Sequence, residues 1–341
     1  MKIWFDILTP KQLLFFGPIV QKLGKNHKIL CTSRNYREVV EIARIKHVNL
    51  LLVGKHGGSG RKDKLKASTQ RIDRLFNIIT KFSPDLVISF CSPEASRIAF
   101  GLGVKHIAFS DSPHAEAVMR LSLPFVQKLL IPWIIPKKEF EKYGISKSNI
   151  IQYKAIDASV IVKNGTNIKP VATSKHKKTI VIRLEESSAA YVFGKTSISK
   201  NIIYEFSKEE EKYNIIVLAR YKPQIDQLKK EFGSKVKIMN KVVDGKSLLS
   251  AIDLFIGSGG TMTAEAALMG VPTISYDAVP NYIEKYLVKI GLVRRETNPK
   301  HVLQTVNEML RNAPRNKEKA RRILDSMEDP FVRLMSVIKT L

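Results

Sequence analysis

Residues Ala251–Asp277, AIDLFIGSGGTMTAEAALMGVPTISYD, contain the strongest fold signal in this sequence. An apolar run, Leu254–Ile256, leads into the segment GSGGT at 257–261, and a helical pattern follows at once. Glycine lets the backbone turn and approach a ligand closely, and the free N–H groups at the start of a helix favour an anion. Glu265 lies one turn inside the predicted helix, where a carboxylate can accept hydrogen bonds from a ribose diol. The stretch therefore predicts a nucleotide site.

The glycine-rich segment is not specific when taken alone. A tight strand-to-helix connection without any ligand uses the same residues. The segment also lacks the GK[ST] of a Walker A loop and does not match GxGxxG. The longer run that ends at Asp277 is the more specific signal.

Short apolar runs alternate with amphipathic helical patterns along most of the chain. The runs are almost continuously apolar, which is typical of parallel strands covered on both faces. The alternation predicts an α/β fold with two tandem doubly wound, Rossmann-like domains and a cleft between them. The predicted strands are Lys2–Leu8, Lys28–Thr32, Val48–Val53, Asp85–Phe90, His106–Ser110, Thr179–Leu184, Ile215–Leu218, Val236–Met239, Leu254–Gly257 and Thr273–Tyr276.

The alternation of apolar runs and helical patterns is interrupted once, by a polar and basic stretch at Lys163–Lys178 that contains Gly165 and Pro170. We therefore expect an N-terminal domain at residues 1–165, a linker at 166–178 and a C-terminal domain at 179–327. A last helix within 328–341 is expected to pack back on the N-terminal domain.

The charge of the chain is strongly positive. Its 341 residues include 57 Lys and Arg against 31 Asp and Glu, a net charge of +26. Such an excess indicates a polyanionic neighbour, either nucleic acid, an acidic membrane surface or a phosphate-rich substrate, unless it reflects a basic proteome. Cys31 and Cys91 are isolated, which favours a reducing compartment and argues against structural zinc. With no leader-like N-terminus and no apolar run long enough to span a bilayer, the sequence predicts a cytoplasmic protein.

The segment SGGTMTAEAALMGVP resembles the UDP-binding segment of the peptidoglycan lipid-linked N-acetylglucosaminyltransferase and the SGG…E segment of non-hydrolysing UDP-N-acetylglucosamine 2-epimerases. Both belong to the GT-B superfamily of two-domain α/β enzymes. The chain most closely resembles the mostly archaeal domain-of-unknown-function family 354 of that superfamily. Matching pieces span most of the chain: Thr9-Pro10, Lys55–Gly58, Asp111–Ala115, Arg183 and the GSGGTMTAEAA run.

The resemblance implies a role for each matching residue of the C-terminal half. Ser258, Gly259, Gly260 and Thr261 would hold a diphosphate, and Glu265 would bind the ribose hydroxyls. Two arginines that end predicted strands, Arg183 and Arg220, would face the phosphates, where a guanidinium fork suits a diphosphate. Either arginine could equally be a solvated strand end.

Two segments of the N-terminal half are candidates for the acceptor side. Lys55, His56, Gly57 and Gly58 form a cationic glycine-rich loop suited to an anionic acceptor or a phosphate, or else a plain surface loop. Asp111 and His114 follow the fifth predicted strand, and either could deprotonate an acceptor hydroxyl. The alternative is that Asp111 or Ser112 caps a helix and His114 is only exposed.

Two apolar stretches, Leu13–Phe16 and Leu129–Ile135, together with abundant lysine, suggest a patch that touches an anionic bilayer, although most such runs are core. A protein with that patch would be peripheral on the inner face of the membrane. Lipid-linked glycosyl acceptors lie at that surface.

Three functions compete on these grounds. The favoured one is a metal-independent GT-B glycosyltransferase that uses a nucleotide sugar, preferably a UDP-sugar, and acts on a glycan or lipid-linked acceptor. It needs no cofactor beyond the donor, and no DxD triplet is present. The second is a UDP-N-acetylglucosamine 2-epimerase-like enzyme, disfavoured because Thr9-Pro10-Lys11-Gln12 replaces the epimerase's N-terminal fingerprint. The third is a non-catalytic nucleic-acid binder, disfavoured because no binding motif is present. The sequence leaves the oligomeric state open.

Overall fold

The computed structural model describes residues 1–58, 60–164, 177–184, 198–219, 222–239, 244–276 and 281–341. The described residues form two compact units. Unit 1 comprises Met1–Val160 and Glu328–Leu341, and unit 2 comprises Ile161–Met327.

Unit 1 is built on a parallel sheet of seven strands in the order β3-β2-β1-β4-β5-β6-β7. The strands are β1 Lys2–Asp6, β2 Lys28–Asn35, β3 Leu51–Lys55, β4 Leu86–Ser89, β5 Lys105–Phe109, β6 Lys128–Pro132 and β7 Ile150–Tyr153. The helices are α1 Pro10–Leu23, α2 Arg37–Ile45, α3 Arg61–Phe82, α4 Pro93–Gly101, α5 Glu116–Arg120, α6 Lys138–Glu141, α7 Asp157–Asn164, which crosses the unit boundary, and the C-terminal α15 Pro330–Thr340. The strand order reverses between β1 and β4.

Two helices of unit 1, α1 and α4, each start at a residue whose side chain caps the helix. Thr9 accepts a hydrogen bond from the Gln12 N–H, and Ser92 accepts one from the Ala95 N–H. Each cap is followed by a proline, which suits the first helical position because its missing N–H would be unpaired there. The core that holds these helices against the sheet includes a cluster of four phenylalanine rings, Phe15, Phe16, Phe90 and Phe109.

Unit 2 is built on a parallel sheet of six strands in the order β10-β9-β8-β11-β12-β13. The strands are β8 Lys178–Arg183, β9 Tyr213–Leu218, β10 Lys237–Met239, β11 Leu254–Gly257, β12 Thr273–Ser275 and β13 Arg294–Arg295. The helices are α8 Ser199–Ser207, α9 Lys222–Phe232, α10 Gly245–Leu249, α11 Thr261–Leu268, α12 Tyr282–Lys289, α13 Pro299–Arg311 and α14 Ala313–Asp325. Strand order reverses here between β8 and β11, which is the Rossmann arrangement.

The predicted fold class is confirmed: both sheets are parallel and doubly wound. Three strands escaped the sequence analysis, namely β6, β7 and β13. The first of them overlaps the apolar stretch at Leu129–Ile135, which we had expected to belong to a membrane-touching patch. That expectation is wrong for these residues, because Leu129, Leu130 and Ile131 are fully buried in the sheet.

The same correction applies to the other half of the expected patch. Leu13, Phe15 and Phe16 are buried on the inner face of α1. No helix among the described residues is both long enough and apolar enough to cross a membrane.

The C-terminal segment belongs to unit 1. Lys22 of α1 pairs with Asp329 at 2.8 Å, and the Lys154 N–H donates to the Glu328 carboxylate at 2.8 Å. Of the predicted linker at 166–178, residues 166–176 lie outside the described residues, and Lys178 is the first residue of β8.

Candidate functional site

The predicted nucleotide segment lies at the point of unit 2 where the strand order reverses. Ligands of open α/β sheets bind outside the carboxyl ends of the strands at such a point, because helices on opposite faces leave a crevice there. β8 ends at Arg183, and β11, its neighbour, runs into Ser258, Gly259 and Gly260. The sheet topology therefore brings the predicted arginine and the predicted glycine-rich turn to one edge.

The turn between β11 and α11 needs glycine at two positions. A side chain at Gly257 would place its Cβ 2.6 Å from the Phe255 ring and 2.7 Å from Thr263 Oγ1. Gly259 has a φ of +90°, which disfavours any residue with a side chain. Gly260 then precedes α11 without a side-chain cap, so backbone N–H groups of the first turn are open to a ligand. Ser258 and Thr261 are partly exposed beside it.

Arg183 is held against the start of α11. Its Nη1 donates to the sulfur of Met262 at 2.7 Å, and its backbone carbonyl accepts from the Tyr276 hydroxyl at 2.8 Å. The guanidinium therefore lies near the positive end of a helix, a combination that suits an anion. Arg220, the other predicted arginine, lies outside the described residues.

Glu265 is a buried carboxylate in the second turn of α11, with 6% of its surface exposed. Its Oε2 lies 3.2 Å from the position where a Cβ of Gly245 would stand, at the start of α10. A side chain at position 245 would therefore crowd this carboxylate.

In unit 1, Asp111 belongs to a compact ionic cluster that the sequence analysis did not foresee. Lys11 Nζ donates to Asp111 Oδ1 at 2.6 Å and to Asp157 Oδ2 at 2.9 Å. Ser112 Oγ donates to Asp111 Oδ1 at 2.7 Å, and Tyr153 Oη donates to Asp157 Oδ1 at 2.7 Å. The cluster gathers residues that follow β1, β5 and β7, so it stands at the carboxyl edge of the sheet.

The two carboxyl groups of this cluster differ in pKa. Burial alone would raise the pKa of Asp111, but the Lys11 ammonium and the hydrogen bonds from Lys11 and Ser112 outweigh burial and lower it. Asp157 is more deeply enclosed: burial raises its pKa to about 6, assisted by the charge of Asp111 and opposed by Lys11. At neutral pH, Asp111 carries a firm negative charge, whereas Asp157 takes up a proton in mildly acidic solution.

His114 is exposed at the same edge, three residues after Asp111. Partial burial lowers the pKa of His114, the charge of Asp111 raises it, and Lys11 lowers it, with a net decrease. The imidazole is therefore neutral at pH 7 and able to accept a proton.

The loop that contains Lys55, His56, Gly57 and Gly58 packs on the start of α3. A Cβ at Gly57 would stand 2.7 Å from Lys64 Cα. The Gly58 N–H donates to His56 Nδ1 at 3.0 Å, which fixes Nδ1 as the acceptor and Nε2 as the protonated nitrogen. Lys55 and Gly58 are exposed and His56 is partly buried.

The functional candidates missed from sequence are Lys11, Asp157 and Tyr153. In the sequence, Lys11 stands out only as part of Thr9-Pro10-Lys11-Gln12, which replaces the epimerase's N-terminal fingerprint. The sequence signal for Asp157 is an acid that follows an apolar run, but this run, IIQY at β7, is too short to indicate a strand by itself. Among the described residues, no group of three or more His, Cys, Asp and Glu side chains is arranged to hold a metal ion.

Comparison with solved structures supports the fold assignment. Over 99% of this chain, the structure is similar to UDP-GlcNAc 2-epimerase from Neisseria meningitidis bound to UDP-GlcNAc, with a TM-score of 0.71, 16% identity and all of that chain covered. It is also similar to the glycotransferase of kitacinnamycin, with a TM-score of 0.65 and 13% identity over 99% of this chain and 98% of the other. At these identities, the likeness establishes the GT-B-type fold of Rossmann-like units and not the reaction.

Sequence comparison gives a closer relationship. An uncharacterized protein of Methanocaldococcus jannaschii, MJ0665, is 28% identical over 328 residues, which cover 91% of this chain and 92% of that protein. The family model described as "Protein of unknown function (DUF354)" matches residues 1–340. The match extends over both units, and the chain therefore belongs to the DUF354 family.

Proposed function

We propose that this protein is a metal-independent glycosyltransferase that uses a nucleotide sugar, preferably a UDP-sugar, and transfers the sugar to a glycan or lipid-linked acceptor. The observation that carries the proposal is the meeting of Arg183 with the uncapped start of α11 at the point where the strand order of unit 2 reverses. That arrangement supplies backbone donors and a guanidinium to a diphosphate, with Glu265 one turn further on for the ribose.

In the proposed reaction, the acceptor hydroxyl oxygen attacks the anomeric carbon while the bond from that carbon to the diphosphate breaks. Negative charge grows on the departing diphosphate. The backbone N–H groups at Gly259, Gly260 and Thr261 and the Arg183 guanidinium would stabilise this charge, because they are already oriented before it develops. Ser258 would add a hydroxyl donor.

Unit 1 would supply the base that removes the proton of the acceptor hydroxyl. Asp111 and His114 are the two candidates, and their electrostatics favour His114. The pKa of Asp111 is lowered by Lys11, so this carboxylate is a weak base. His114 is neutral near pH 7, and the Asp111 charge would stabilise the imidazolium that forms. Asp111 would then assist the proton transfer electrostatically and would not accept the proton itself.

The second candidate function is 2-epimerisation of a UDP-sugar. It is favoured by the solved structures described as UDP-GlcNAc 2-epimerases and by the pair of carboxyl groups, Asp111 and Asp157, on one lysine. Inversion at C2 requires the C2–H bond to break, so the enzyme would exchange that hydrogen with solvent. Glycosyl transfer leaves C2 untouched.

The first test is a titration with UDP, GDP, TDP and UDP-N-acetylglucosamine. Binding is measured by calorimetry and by thermal unfolding, at low salt and at about 0.3 M salt. The proposal expects saturable stabilisation by one nucleoside that persists at the higher salt concentration, because a ligand that binds the native state raises its stability. No binding, or equal binding of all nucleotides that salt abolishes, would contradict it.

Two variants in unit 2 make this titration specific. Glu265→Gln should weaken nucleotide binding at least tenfold, since a hydrogen bond to a charged group contributes about 1.5–3 kcal/mol. Glu308→Gln on α13, whose carboxylate is exposed, is the matched control. Unchanged affinity in a folded Glu265→Gln protein would remove the ribose role.

Incubation of UDP-N-acetylglucosamine in D₂O without an acceptor separates the two candidate reactions. Deuterium at C2, detected by NMR, would establish the epimerase. An unlabelled donor that binds with the expected affinity supports the transferase.

A further inference from the structure

Arg34, near the end of β2, is partly buried and incompletely satisfied. Its Nε is buried and has no hydrogen-bond partner among the residues that the structure describes. A buried donor without a partner is costly, and such a group in a native protein usually meets water or an ion. Burial lowers the pKa of Arg34 by disfavouring its charge, and the nearby Glu94 opposes this effect.

The strand pairing is irregular beside this residue. Ser33 pairs with Leu52 and Asn35 pairs with Lys55, so Arg34 of β2 lies opposite two residues of β3, Val53 and Gly54. The extra residue of this bulge belongs to β3, and bulges are common beside functional sites.

The neighbours of Arg34 do not satisfy it. Asp6 is occupied by Arg71, whose Nη2 lies 2.6 Å from Asp6 Oδ1, and by the Ser92 hydroxyl at 2.6 Å. Glu94 accepts from Ser92 at 3.3 Å and lies 3.8 Å from Arg71. Arg71 therefore already engages both acids, and the Nε–H of Arg34 finds no partner in the part of the chain that the structure describes.

A cationic segment begins at Lys55, which pairs with Asn35, the residue after Arg34. Burial lowers the pKa of His56, and the positive charges of Arg34 and Lys64 lower it further. Tyr36 stacks on the His56 ring with the centroids 5.2 Å apart. The segment from Lys55 to Lys64 carries four Lys and Arg residues against one acid, Asp63. It leads into α3, a helix of 22 residues whose start, Gly60, makes no side-chain cap.

We propose that Arg34, His56 and the first turn of α3 form a phosphoryl-binding site in unit 1. A guanidinium fork and helix N–H groups are both suited to phosphate oxygens, and the protonated Nε2 of His56 is a further donor. The assignment of this phosphoryl group to the acceptor substrate rests on the proposed function, whereas the binding of phosphate itself does not.

The experiment titrates inorganic phosphate and pyrophosphate into the nucleotide-free protein and follows the His56 ring protons by NMR, with His56→Gln used to assign them. A probe at His56 is needed because pyrophosphate is also expected to bind near Arg183. The wild type should show saturable shifts of the His56 signals. Arg34→Gln should weaken binding at least tenfold, and Arg183→Gln should leave the His56 response unchanged.

Arg37→Gln is the matched control. Arg37 is three residues away, exposed, and paired with Glu41 at 2.7 Å. Tryptophan fluorescence checks the folding of each variant, and Arg34→Lys provides a second variant that retains the charge and loses the fork. Arg34→Lys should bind with intermediate affinity.

Four results would overturn the proposal: no saturable response in the wild type, an equal loss in Arg37→Gln, unchanged affinity in folded Arg34→Gln, or equal competition by acetate. Geranyl phosphate and glucose 1-phosphate then distinguish a lipid phosphate from a sugar phosphate. An Arg34-dependent phosphate response in a protein that binds no nucleotide would leave this site standing while the proposed function failed.

Discussion

The two sheets differ at the point where their strand order reverses. In unit 1, the reversal of strand order between β1 and β4 is filled by side chains: Arg71 pairs with both oxygens of Asp6, which also accept from Thr32 and Ser92. In unit 2, the reversal between β8 and β11 is lined by glycine backbone with Arg183 beside it. A crevice occupied by paired side chains stabilises its own unit, whereas one lined by backbone donors is open to a ligand.

The largest effect is expected from Arg71→Met. It would leave the fully buried Asp6 carboxylate without its ionic partner, and breaking a buried pair in this way costs about 3–5 kcal/mol. Both tryptophans, Trp4 and Trp133, lie in unit 1, so urea unfolding followed by tryptophan fluorescence reports on this unit. The double variant Asp6→Asn, Arg71→Met should recover part of the loss. A single variant as stable as the wild type would show that the crevice is not sealed by this pair.

The next effect concerns pH. Because the pKa of Asp157 is raised from 3.8 to about 6 in the folded protein, the folded state binds more protons than the unfolded state between those values. The contribution of Asp157 to stability is therefore fully present below about pH 4 and declines as the pH rises through 6. Relative to Asp157→Asn, the wild type should lose about 3 kcal/mol at most across this range.

Asp73→Asn, a change at an exposed position of α3, is the control for this measurement. Urea unfolding at several pH values between 4 and 8, again followed by tryptophan fluorescence, provides the comparison. Parallel pH profiles of wild type and Asp157→Asn would contradict the raised pKa.

A smaller loss is expected in unit 2 from Gly257→Ala. The added methyl group would stand 2.6 Å from Phe255 and 2.7 Å from Thr263, and overpacking of this kind costs about 1–3 kcal/mol. Hydrogen exchange of the β11 and α11 amides should accelerate, while the tryptophan-detected unfolding of unit 1 changes much less. Unaltered exchange at these amides would show that the turn tolerates a side chain.

The smallest effect is expected three residues later, from Gly260→Ala. Among the described residues, no atom lies within 4 Å of a Cβ built at Gly260, and the φ of −79° at this residue is accessible to alanine. We expect a loss of stability of at most about 1 kcal/mol, because alanine is less favourable than glycine at a helix N-cap. The same amide exchange measurement serves as the check, and a loss as large as that of Gly257→Ala would remove the distinction between the two glycines.

The fold class was predictable because it depends on the local pattern of apolar and polar residues. Continuous apolar runs that alternate with amphipathic helices indicate parallel strands without any knowledge of long-range contacts. β6 and β7 escaped because their sequences are short and their neighbours, including Trp133 and Pro136, resemble an irregular segment. The prediction of a membrane-touching patch failed because an apolar run indicates burial but does not show whether protein or lipid covers it.

The two candidate sites differ in how far the sequence reached. In unit 2, the GSGGT segment, its helix and Glu265 are contiguous, so their relation is fixed by the chain itself. In unit 1, Asp111 was found without its partners, because Lys11 and Asp157 are 100 and 46 residues away from it. Arg34 was not found at all, since its isolation depends on how Arg71, Ser92 and Glu94 share the neighbouring acid groups.

By itself, the sequence determined the parallel α/β architecture and the glycine-rich turn, because hydrophobic period and glycine geometry act over a few residues. Only the tertiary structure decided which charges are paired, which carboxyl group takes up a proton near pH 6 and which buried guanidinium nitrogen lacks a partner among the described residues. These properties depend on burial and on distances of a few ångströms between residues far apart in the chain, and no local pattern encodes them.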